Sequence, residues 1–251
     1  MTSSAENRHR LLKVLTYNVH SCRGTDRKLD IARIAEVIAA CNADIIALQE
    51  LDVGRRRTGG FDQAHEIAAL LEMKAHFHPA LHVEEEKYGD AILTALPSTL
   101  IKADVLPSLG EPRGAIWLEI IVAGTPVHVF NTHLGLRRRE RLAQIDTLFG
   151  PDWLGSARCR QVPRILMGDF NAVPSSRVYR NVVQNMRDAD QPATGRRRPT
   201  FPSRFPLLRL DHIFISPELT TVEAKVEAGP LMRLASDHLP LTATLELHAG
   251  A

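Results

Sequence analysis

The seven residues ILMGDFN at 165–171 constrain this chain more than any other stretch. The apolar residues at its start predict a buried β-strand that ends at a glycine. Asp169 and Asn171 follow two residues apart, so the alternation of side chains along a strand points both to the same side. An Asp that can take a proton from water, beside an Asn that can donate to an oxyanion, is typical of a hydrolase. The alternative interpretation is that Asp-Phe-Asn only turns the chain.

Other predicted strands end in a similar way, which favours the interpretation as a functional site. The polar residues at predicted strand ends are Asn18, Glu50, His133, Asp169, Asn171, Asp211 and His238, with Asp237 beside the last. Any one of them alone could form a merely structural hydrogen bond, so the prediction depends on their conjunction. The chain has no glycine-rich phosphate loop and no Gly-x-Ser-x-Gly motif, which argues against the sites that those motifs mark.

Length and composition are those of a globular protein with a sizeable core. The chain has 251 residues, of which 44% are hydrophobic and 24% charged, and its net charge is +2. We expect a polar tail at 1–10 and a single domain at 11–248, because no stretch resembles a linker. Arginine triplets at 55–57, 137–139 and 196–198 are typical of solvated faces, although the preference for Arg over Lys also suits phosphate recognition.

The cysteines predict a reducing compartment. Cys22, Cys41 and Cys159 are far apart and lack CxxC spacing, so they indicate neither a disulfide framework nor a zinc site. The N-terminus has no apolar signal segment, and no apolar run approaches the length that spans a membrane. These features predict a soluble, cytoplasmic protein.

Apolar periodicity predicts two blocks of strands, each accompanied by helices. Predicted strands lie at 11–18, 44–50, 75–82, 91–96, 99–106, 114–122, 126–131, 165–171, 210–216, 221–228 and 239–247, and predicted helices at 29–41, 61–73, 137–149 and 175–185. This order suggests an α/β fold in which two mostly antiparallel sheets pack face to face with helices outside. His76 and His78 could ligate a metal, but no partner follows at the usual spacing, so we interpret their strand as a histidine-rich edge strand.

The oxygen-rich side chains predict a divalent cation. Glu50, Asp237 and Asn18 are the candidate ligands, and carboxylate and carbonyl oxygens suit Mg²⁺ or Mn²⁺ rather than Zn²⁺. A cation held by only one or two carboxylates keeps water molecules and binds the phosphate of a substrate.

The histidines and aspartates fit a hydrolytic cycle at phosphorus. Asp211 would raise the pKa of His238 and fix its tautomer, so that a protonated His238 stabilises charge on a phosphoryl oxygen. His133 would lie on the opposite side of the phosphate. Asp169 would deprotonate the attacking water, and Asn171 would stabilise the pentacovalent state. The predicted substrate-binding residues are Arg113, Tyr88 and Asn131.

Six motifs contain these polar residues and are spread over nearly the whole chain. They are TYNVH at 16–20, LQE at 48–50, NTHLGL at 131–136, GDFNA at 168–172, LDHIFIS at 210–216 and SDH at 236–238. In this order they resemble the endonuclease/exonuclease/phosphatase superfamily of metal-dependent phosphoesterases, relatives of pancreatic DNase, exonuclease III-type repair endonucleases and neutral sphingomyelinases. The set is highly specific, whereas NTHL or GDFN alone is not.

The resemblance implies a four-layer α/β sandwich, the DNase-I-like fold, with the site at the mouth between the sheets. The matching residues are Asn18, Glu50 and Asp237 for the metal, Asp169 and Asn171 for water activation, Asp211 and His238 for the catalytic dyad, and His133 as a second phosphate-binding histidine. The stretches at 57–68 and 199–213 look closer still to a small bacterial subgroup, some members of which are encoded beside cardiolipin-synthase-like proteins.

One motif departs from the resemblance. Many relatives read Gly-Asn-Ala-Ile-Leu-Ser-Arg where this chain has GDAILTA at 89–95. Asp90 in place of Asn adds a carboxylate near the expected metal, which makes Asp90 a further candidate ligand. The missing Ser-Arg pair weakens a role in phosphate binding at this position.

The leading hypothesis is an enzyme that hydrolyses a phosphodiester or phosphomonoester by direct attack of water, with no covalent intermediate. A repair-type DNA endonuclease or exonuclease is the alternative, and a non-catalytic phosphate- or phospholipid-binding module is a more remote one. The partners left open are nucleic acid and a lipid surface, and the sequence indicates no obligate protein partner.

The loop at 200–208 favours a small or lipid-type substrate over DNA. Phe201, Phe205 and Leu207, flanked by Arg204 and the triplet at 196–198, would suit a phosphodiester with an apolar body if they are exposed. Equally, they could pack in the core. Duplex DNA would instead require many phosphate contacts along a track.

Overall fold

Two six-stranded sheets form the centre of the molecule. The computed structural model describes residues 11–190 and 198–248, so the predicted tail at 1–10 and the arginines Arg196 and Arg197 lie outside the described residues. The strands are β1 (Leu11–Asn18), β2 (Ile45–Val53), β3 (Lys74–Val83), β4 (Glu86–Thr94), β5 (Ser98–Leu106), β6 (Arg113–Val122), β7 (Thr125–His133), β8 (Arg164–Asp169), β9 (Arg187–Asp188), β10 (Asp211–Ile215), β11 (Leu219–Val226) and β12 (Leu241–Leu247).

Five α-helices cover the outer faces of the sheets. They are α1 (Ile31–Cys41), α2 (Gln63–Leu70), α3 (Arg138–Leu148), α4 (Arg177–Val183) and α5 (Pro230–Ala235), and short 3₁₀ helices lie at His20–Cys22, Arg56–Thr58 and Ala157–Cys159. Helix α1 begins where the side chain of Asp30 accepts a hydrogen bond from the backbone N–H of Arg33, which satisfies one free donor of the first turn. No helix among the described residues is long and apolar enough to cross a membrane.

The strand order confirms the predicted architecture. The first sheet has the order β11-β12-β1-β2-β4-β3 and the second the order β5-β6-β7-β8-β10-β9. Pairing is antiparallel except between β1 and β2, which α1 connects, and between β7 and β8. Strand β3, which carries His76 and His78, lies at the edge of its sheet, as predicted.

Alternation along each strand divides the core into layers. In β1, Val14 packs between the two sheets, whereas its neighbour Leu15 packs under α1 against Ile34. In β8, Met167 lies between the sheets, whereas Leu166 belongs to a separate cluster with α3 and α4. Helix, sheet, sheet and helix therefore form the four layers of the sandwich.

The main correction to the predicted elements concerns β2. The sequence predicts a strand that ends on Glu50, but the strand continues to Val53, and its register with β4 shifts between Leu48 and Leu51. The extra residue forms a β-bulge, so Glu50 projects from an irregular position within the strand rather than from its end. Helix α2 (Gln63–Leu70) is also shorter than the predicted helix at 61–73. It begins at Gln63, because the side chain of Asp62 accepts a hydrogen bond from the backbone N–H of His65 and caps the first turn.

Candidate active site

Three neighbouring strands bring the predicted catalytic carboxylates and one histidine together. In the register of β7 with β8, His133 lies opposite Asp169, and in the register of β8 with β10, Asp169 lies opposite Asp211. Gly168 makes this approach possible, because its φ is +148° and a Cβ there would lie 1.9 Å from the carbonyl oxygen of Thr132. The glycine of the GDFN motif is thus required by the packing of β8 on β7.

Asp211 and His238 are in direct contact. Nδ1 of His238 lies 2.8 Å from Oδ2 of Asp211, and Nε2 of the same ring lies 3.7 Å from Oδ2 of Asp169. Burial alone would lower the pKa of His238, but the two carboxylates outweigh it and raise this pKa to about 10. The ring is therefore a cation at neutral pH, as the sequence analysis requires of an electrophile.

Asp169 is held between the two sheets. Its Oδ1 accepts from the backbone N–H of Asn171 at 2.8 Å, and its Oδ2 accepts from Nδ2 of Asn18 at 3.1 Å. Burial raises the pKa of Asp169 to about 7, with a further increase from the charge of Asp211 and a decrease from His238. A carboxylate with a pKa near neutrality is a better proton acceptor than an ordinary aspartate.

His133 is the neutral partner of the cationic His238. Burial, together with the charges of Arg113 and His238, lowers its pKa well below the usual value. Nη1 of Arg113 lies 3.2 Å from Nδ1 of His133, and because a guanidinium can only donate, the proton of the neutral ring sits on Nε2. That Nε2 lies 3.5 Å from Oδ2 of Asp169. Nδ2 of Asn171 lies 3.1 Å from it but is itself a donor, so it hydrogen-bonds to the carbonyl oxygen of Leu134 and not to the ring.

The bulge in β2 aims Glu50 into the site. Glu50 has a φ of +62°, a left-handed conformation that is rare for a residue with a side chain. Its Oε1 accepts from Nδ2 of Asn18 at 2.9 Å, and no donor in the described part of the chain binds its Oε2. Asn18 thus connects Glu50 to Asp169, and its own Oδ1 accepts from the backbone N–H of His20 at 3.0 Å.

Other residues beside the site also have a left-handed backbone conformation. His20, Ser21 and Cys22 have successive φ values of 48°, 51° and 55°, and Asn171 has a φ of 47°. Such strain persists only where the surrounding structure fixes it, and it concentrates at functional sites. No residue type in the 20–22 segment announces this turn, so sequence reasoning did not find it.

A cavity of about 560 Å³ opens at this point. Its lining includes the predicted site residues Glu50, Tyr88, Arg113, His133, Asp169, Asn171, Asp237 and His238, together with His20, Ser21, Arg23, Arg57, Thr58, Glu111, Leu136, Phe201 and Leu210, which the sequence analysis did not assign to the site. A groove of about 730 Å³ between β9 and β11 contains none of the predicted site residues. The smaller cavity is the candidate active site, because the chemistry converges there.

Four predicted residues do not line the cavity: Asn18 and Asp211, which contact the lining residues Glu50 and His238, and Asn131 and Asp90. Asn131 is fully buried between the sheets, and its Nδ2 donates to the carbonyl oxygens of Leu48 and Ala91 at 2.9 and 2.8 Å. It points the same way as His133 but lies two residues deeper along β7, so it joins the sheets and does not meet the substrate, contrary to the prediction.

Asp90 is likewise placed behind the site. It is buried opposite the bulge, and its carboxylate accepts a hydrogen bond from the backbone of Glu50. Burial raises the pKa of Asp90 to about 8, and the charges of Glu50 and Asp169 act in the same direction. Asp90 is therefore positioned to stabilise the left-handed backbone of Glu50.

The donor set fits a divalent cation. Within residues 11–190 and 198–248, the group of acidic and histidine side chains whose atoms lie within 4.8 Å of one another is Asp169, Asp211 and His238, which differs from the predicted ligands, and its protonated histidine has no lone pair for a metal. Glu50 and Asp237, which the sequence predicts as ligands, line the same cavity and present hard carboxylate oxygens. Glu50, Asp169 and Asp237 each present a carboxylate to the cavity, so a cation bound there would reduce the repulsion between these negative charges.

The comparison with known families agrees with this geometry. The model of the Endonuclease/Exonuclease/phosphatase family matches residues 15–238. The chain belongs to this family. Members of the endonuclease/exonuclease/phosphatase family are in general hydrolases of phosphoester bonds that depend on divalent metals.

The chain matches individual relatives over nearly its whole length and theirs. The chain is 28% identical to the uncharacterized protein YbhP of Escherichia coli (strain K12) over 248 residues, which cover 94% of this chain and 96% of that protein. The fold is similar to the human Nocturnin catalytic domain with bound sulfate (TM-score 0.75, 24% identity, 96% of this chain and 94% of the other). It is also similar to a Bacteroides thetaiotaomicron mannosyl-6-phosphatase (TM-score 0.74, 20% identity, 93% and 99%).

Proposed function

We propose that this protein hydrolyses a phosphoester by direct attack of water, with the help of Mg²⁺ or Mn²⁺. The observation that carries the proposal is the arrangement of Asp169 between a cationic His238 and a neutral His133, all lining one cavity. A proton acceptor, a fixed positive charge and a neutral donor are the groups that displacement at phosphorus requires. Among the described residues that line the cavity, the serine is Ser21, whose hydroxyl accepts from Arg57 and not from a base, which favours water as the attacking group.

Each side chain has a definite role in this proposal. Asp169 takes the proton of the attacking water, and Asn171 orients the phosphate beside it. His238, held by Asp211, places its positive charge on a phosphoryl oxygen, while Nε2–H of His133 donates to another. Arg113 contributes by fixing the tautomer of His133, since its guanidinium is already bound to that ring and to Glu111.

Glu50 and Asp237 would hold the cation, because both line the cavity and offer carboxylate oxygens. Asn18 and Asp90 would serve it indirectly, since Asn18 donates to the side chain of Glu50 and Asp90 accepts from its backbone. The chemistry that such a cation supplies is the neutralisation of charge on the phosphate oxygens.

The loop at 200–208, which precedes β10, favours a small or lipid-type substrate. Phe205 and Leu207 are 78% and 79% exposed, and Phe201 lines the cavity with its ring centroid 4.8 Å from that of His238. An apolar group of the substrate could therefore rest on this loop while its phosphate reaches the catalytic residues. Among the triplet arginines that the structure describes, Arg57 lines the cavity and the others do not, which argues against a DNA track.

A substrate panel with a metal control tests the proposal. Bis(p-nitrophenyl) phosphate, p-nitrophenyl phosphate, a lysophospholipid and supercoiled plasmid are each incubated with Mg²⁺, with Mn²⁺ and with EDTA. We expect metal-dependent hydrolysis of the small or lipid esters and none by Asp169→Asn. Plasmid nicking that falls steeply with salt would instead indicate a DNA endonuclease. Binding of phosphate esters without any turnover would indicate a non-catalytic module.

The predicted cytoplasmic location agrees with the state of the cysteines. Cys22, Cys41 and Cys159 are buried thiols in three separate places, and none is paired in a disulfide. Thiols of this kind are the norm in a reducing compartment. Fractionation of cells that produce the tagged protein would test this location directly.

A further inference from the structure

Arg57 lines the cavity in a fixed orientation, and the proposed reaction gives it no role. Its Nε lies 2.7 Å from Oδ2 of Asp52, and its Nη2 lies 2.8 Å from Oδ1 of the same carboxylate. Asp52 is fully buried, so this bidentate contact fixes the guanidinium plane from behind. Arg57 itself is 51% exposed and lines the cavity.

The cavity wall beside Asp52 carries more positive than negative charge. The carboxylate of Asp52 also accepts from Oγ1 of Thr58 at 3.0 Å and lies 3.6 Å from Nη1 of Arg55. Arg23 adds a further guanidinium, which donates to the carbonyl oxygen of Arg57 at 3.2 Å and lines the same cavity. Arg55 also lies 3.5 Å from Oε2 of Glu86, so Asp52 and Glu86 balance Arg55 and Arg57, whereas Arg23 has no carboxylate partner among the described residues.

One donor position of Arg57 is free for a ligand. Its Nη2 donates to Oγ of Ser21 at 3.2 Å in addition to Asp52, whereas Nη1 has no acceptor within the described residues. A guanidinium that is fixed on one edge and open on the other is suited to bind a phosphate or carboxylate oxygen.

This open edge is separated from the catalytic residues by Tyr88. The guanidinium of Arg57 lies over the Tyr88 ring at 5.5 Å from its centroid, and Tyr88 and Arg113 line the same cavity. Arg113 in turn contacts His133. An anion at Arg57 would therefore occupy the same cavity as the reacting phosphate but a different part of it.

We propose that Arg57 and Arg23 form a second anion-binding subsite, so that the preferred substrate carries another anionic group, such as a second phosphate, beside the ester that is cleaved. This inference rests on the proposed function for the identity of the first phosphate. It narrows the substrate class from any phosphoester to those with two anionic groups joined by a short spacer.

The test compares ligands that differ only in the second anion. Propyl phosphate and a series of alkane α,ω-bisphosphates with spacers of increasing length are titrated calorimetrically into the protein in excess Mg²⁺, and the same compounds are used as inhibitors of bis(p-nitrophenyl) phosphate hydrolysis. We expect at least one bisphosphate to bind about tenfold more tightly than propyl phosphate, as a charge-assisted hydrogen bond would provide.

Arg57→Ala should reduce this preference to about threefold or less, because the charge-assisted contact is lost. Arg23→Ala, which leaves the contact between Arg57 and Asp52 intact, should reduce it in part. Arg56→Ala is the matched control, since Arg56 is exposed and does not line the cavity, and it should retain the full preference. Circular dichroism and urea unfolding verify that each variant is folded.

Equal binding of propyl phosphate and every bisphosphate would overturn the subsite, and so would a preference that persists in folded Arg57→Ala. Failure of the proposed function has a different signature, which is the absence of hydrolysis with every ester. In that case the calorimetric preference still decides whether the subsite exists.

Discussion

Two buried clusters of aspartate and histidine lie on opposite faces of β10. Asp211 belongs to the Asp169 cluster (Asp169, Asp211 and His238), and the next residue, His212, points the other way into the Asp188 cluster (Tyr179, Asp188, Arg209 and His212). Both clusters contain aspartate and histidine at similar burial, and the Asp188 cluster adds a tyrosine and an arginine. Their electrostatics are nevertheless opposite.

In the Asp188 cluster, donors outnumber carboxylates. The Tyr179 hydroxyl donates to Oδ2 of Asp188 at 2.7 Å, Nη2 of Arg209 lies 3.6 Å from Oδ1, and Nδ1 of His212 lies 3.9 Å from Oδ2. Although burial acts to raise the pKa of Asp188, these contacts outweigh it and lower the pKa to about 2. Its donors keep the Asp188 carboxylate ionised, and the Tyr179 hydroxyl ties α4 to β9, although Nε and Nη2 of Arg209 and Nδ1 of His212 have no hydrogen-bond partner among the described residues.

In the Asp169 cluster, carboxylates crowd together. Asp169 and Asp211 share the single His238, and Oδ1 of Asp211 has no hydrogen-bond partner. The pKa of Asp169 is raised to about 7, which is the reverse of the shift at Asp188. A buried network with unsatisfied acceptors costs stability, and proteins retain such networks where they serve chemistry. The balance between carboxylates and donors, and not the presence of aspartate and histidine, separates the candidate active site from the core.

The largest expected effect tests this distinction directly. Asp169→Asn should lower kcat by about a hundredfold to ten-thousandfold, because it removes the proton acceptor. Since the same change removes a crowded buried carboxylate, we expect the free energy of unfolding in EDTA to stay the same or increase. Steady-state kinetics and urea unfolding measure the two quantities. Loss of stability with unchanged kcat would place Asp169 among the structural aspartates.

The dyad should behave as one unit. Asp211→Asn and His238→Ala should each lower kcat by at least about a hundredfold, and the double variant should be little worse than the worse of the two. Such non-additivity follows because Asp211 acts only by charging and orienting His238. A double-variant loss equal to the product of the single losses would show that the two residues act independently.

Glu50 should link the metal to the activity. Glu50→Gln keeps the shape of the side chain but removes its charge, so we expect a higher Mg²⁺ concentration for half-maximal activity and a lower kcat at saturation. EDTA should abolish the activity of the wild type, and added Mg²⁺ or Mn²⁺ should restore it. The control is Glu86→Gln, which changes a half-buried carboxylate paired with Arg55 outside the cavity and should keep the wild-type metal dependence. Full activity of Glu50→Gln in EDTA would contradict the mechanism.

The sequence predicts the strands well because alternation depends only on which side chains are apolar. It places Asp169, Asn171, His133, Asp211 and His238 in the site for the same reason, since all five lie at or beside strand ends. Asn131 shows the limit of the argument. Its polarity is as visible as that of His133, but two residues of depth along β7 make it a core residue, and depth depends on where the opposite sheet lies.

Positions set by the tertiary backbone could not be read from the sequence. The bulge that aims Glu50 arises from the register of β2 with β4, and neither strand has a local signal for it. Arg57 similarly belongs to a triplet whose three members look equivalent in sequence. Only the buried Asp52 distinguishes Arg57 from Arg56, and that contact is a property of the folded chain.

The smallest expected effect concerns the Asp188 cluster, where stability and not activity should respond. Because the pKa of Asp188 falls from its ordinary value of 3.8 to about 2 on folding, its ionised form stabilises the native state above about pH 4, and this contribution is lost as the pH falls toward 2. Asp188→Asn should therefore lower the free energy of unfolding by about 2 kcal/mol at pH 7, from the linkage between pKa and stability.

The sign of the pH dependence makes this prediction specific. The difference in stability between wild type and Asp188→Asn should be constant from pH 7 to about pH 5 and should shrink below about pH 4, as the wild-type carboxylate begins to take up its proton. Urea unfolding at a series of pH values measures it, and kcat at pH 7 should not change, because Asp188 does not line the active-site cavity. A difference that grows on acidification, or a loss of kcat without a loss of stability, would mean that the two clusters are not as distinct as their geometry indicates.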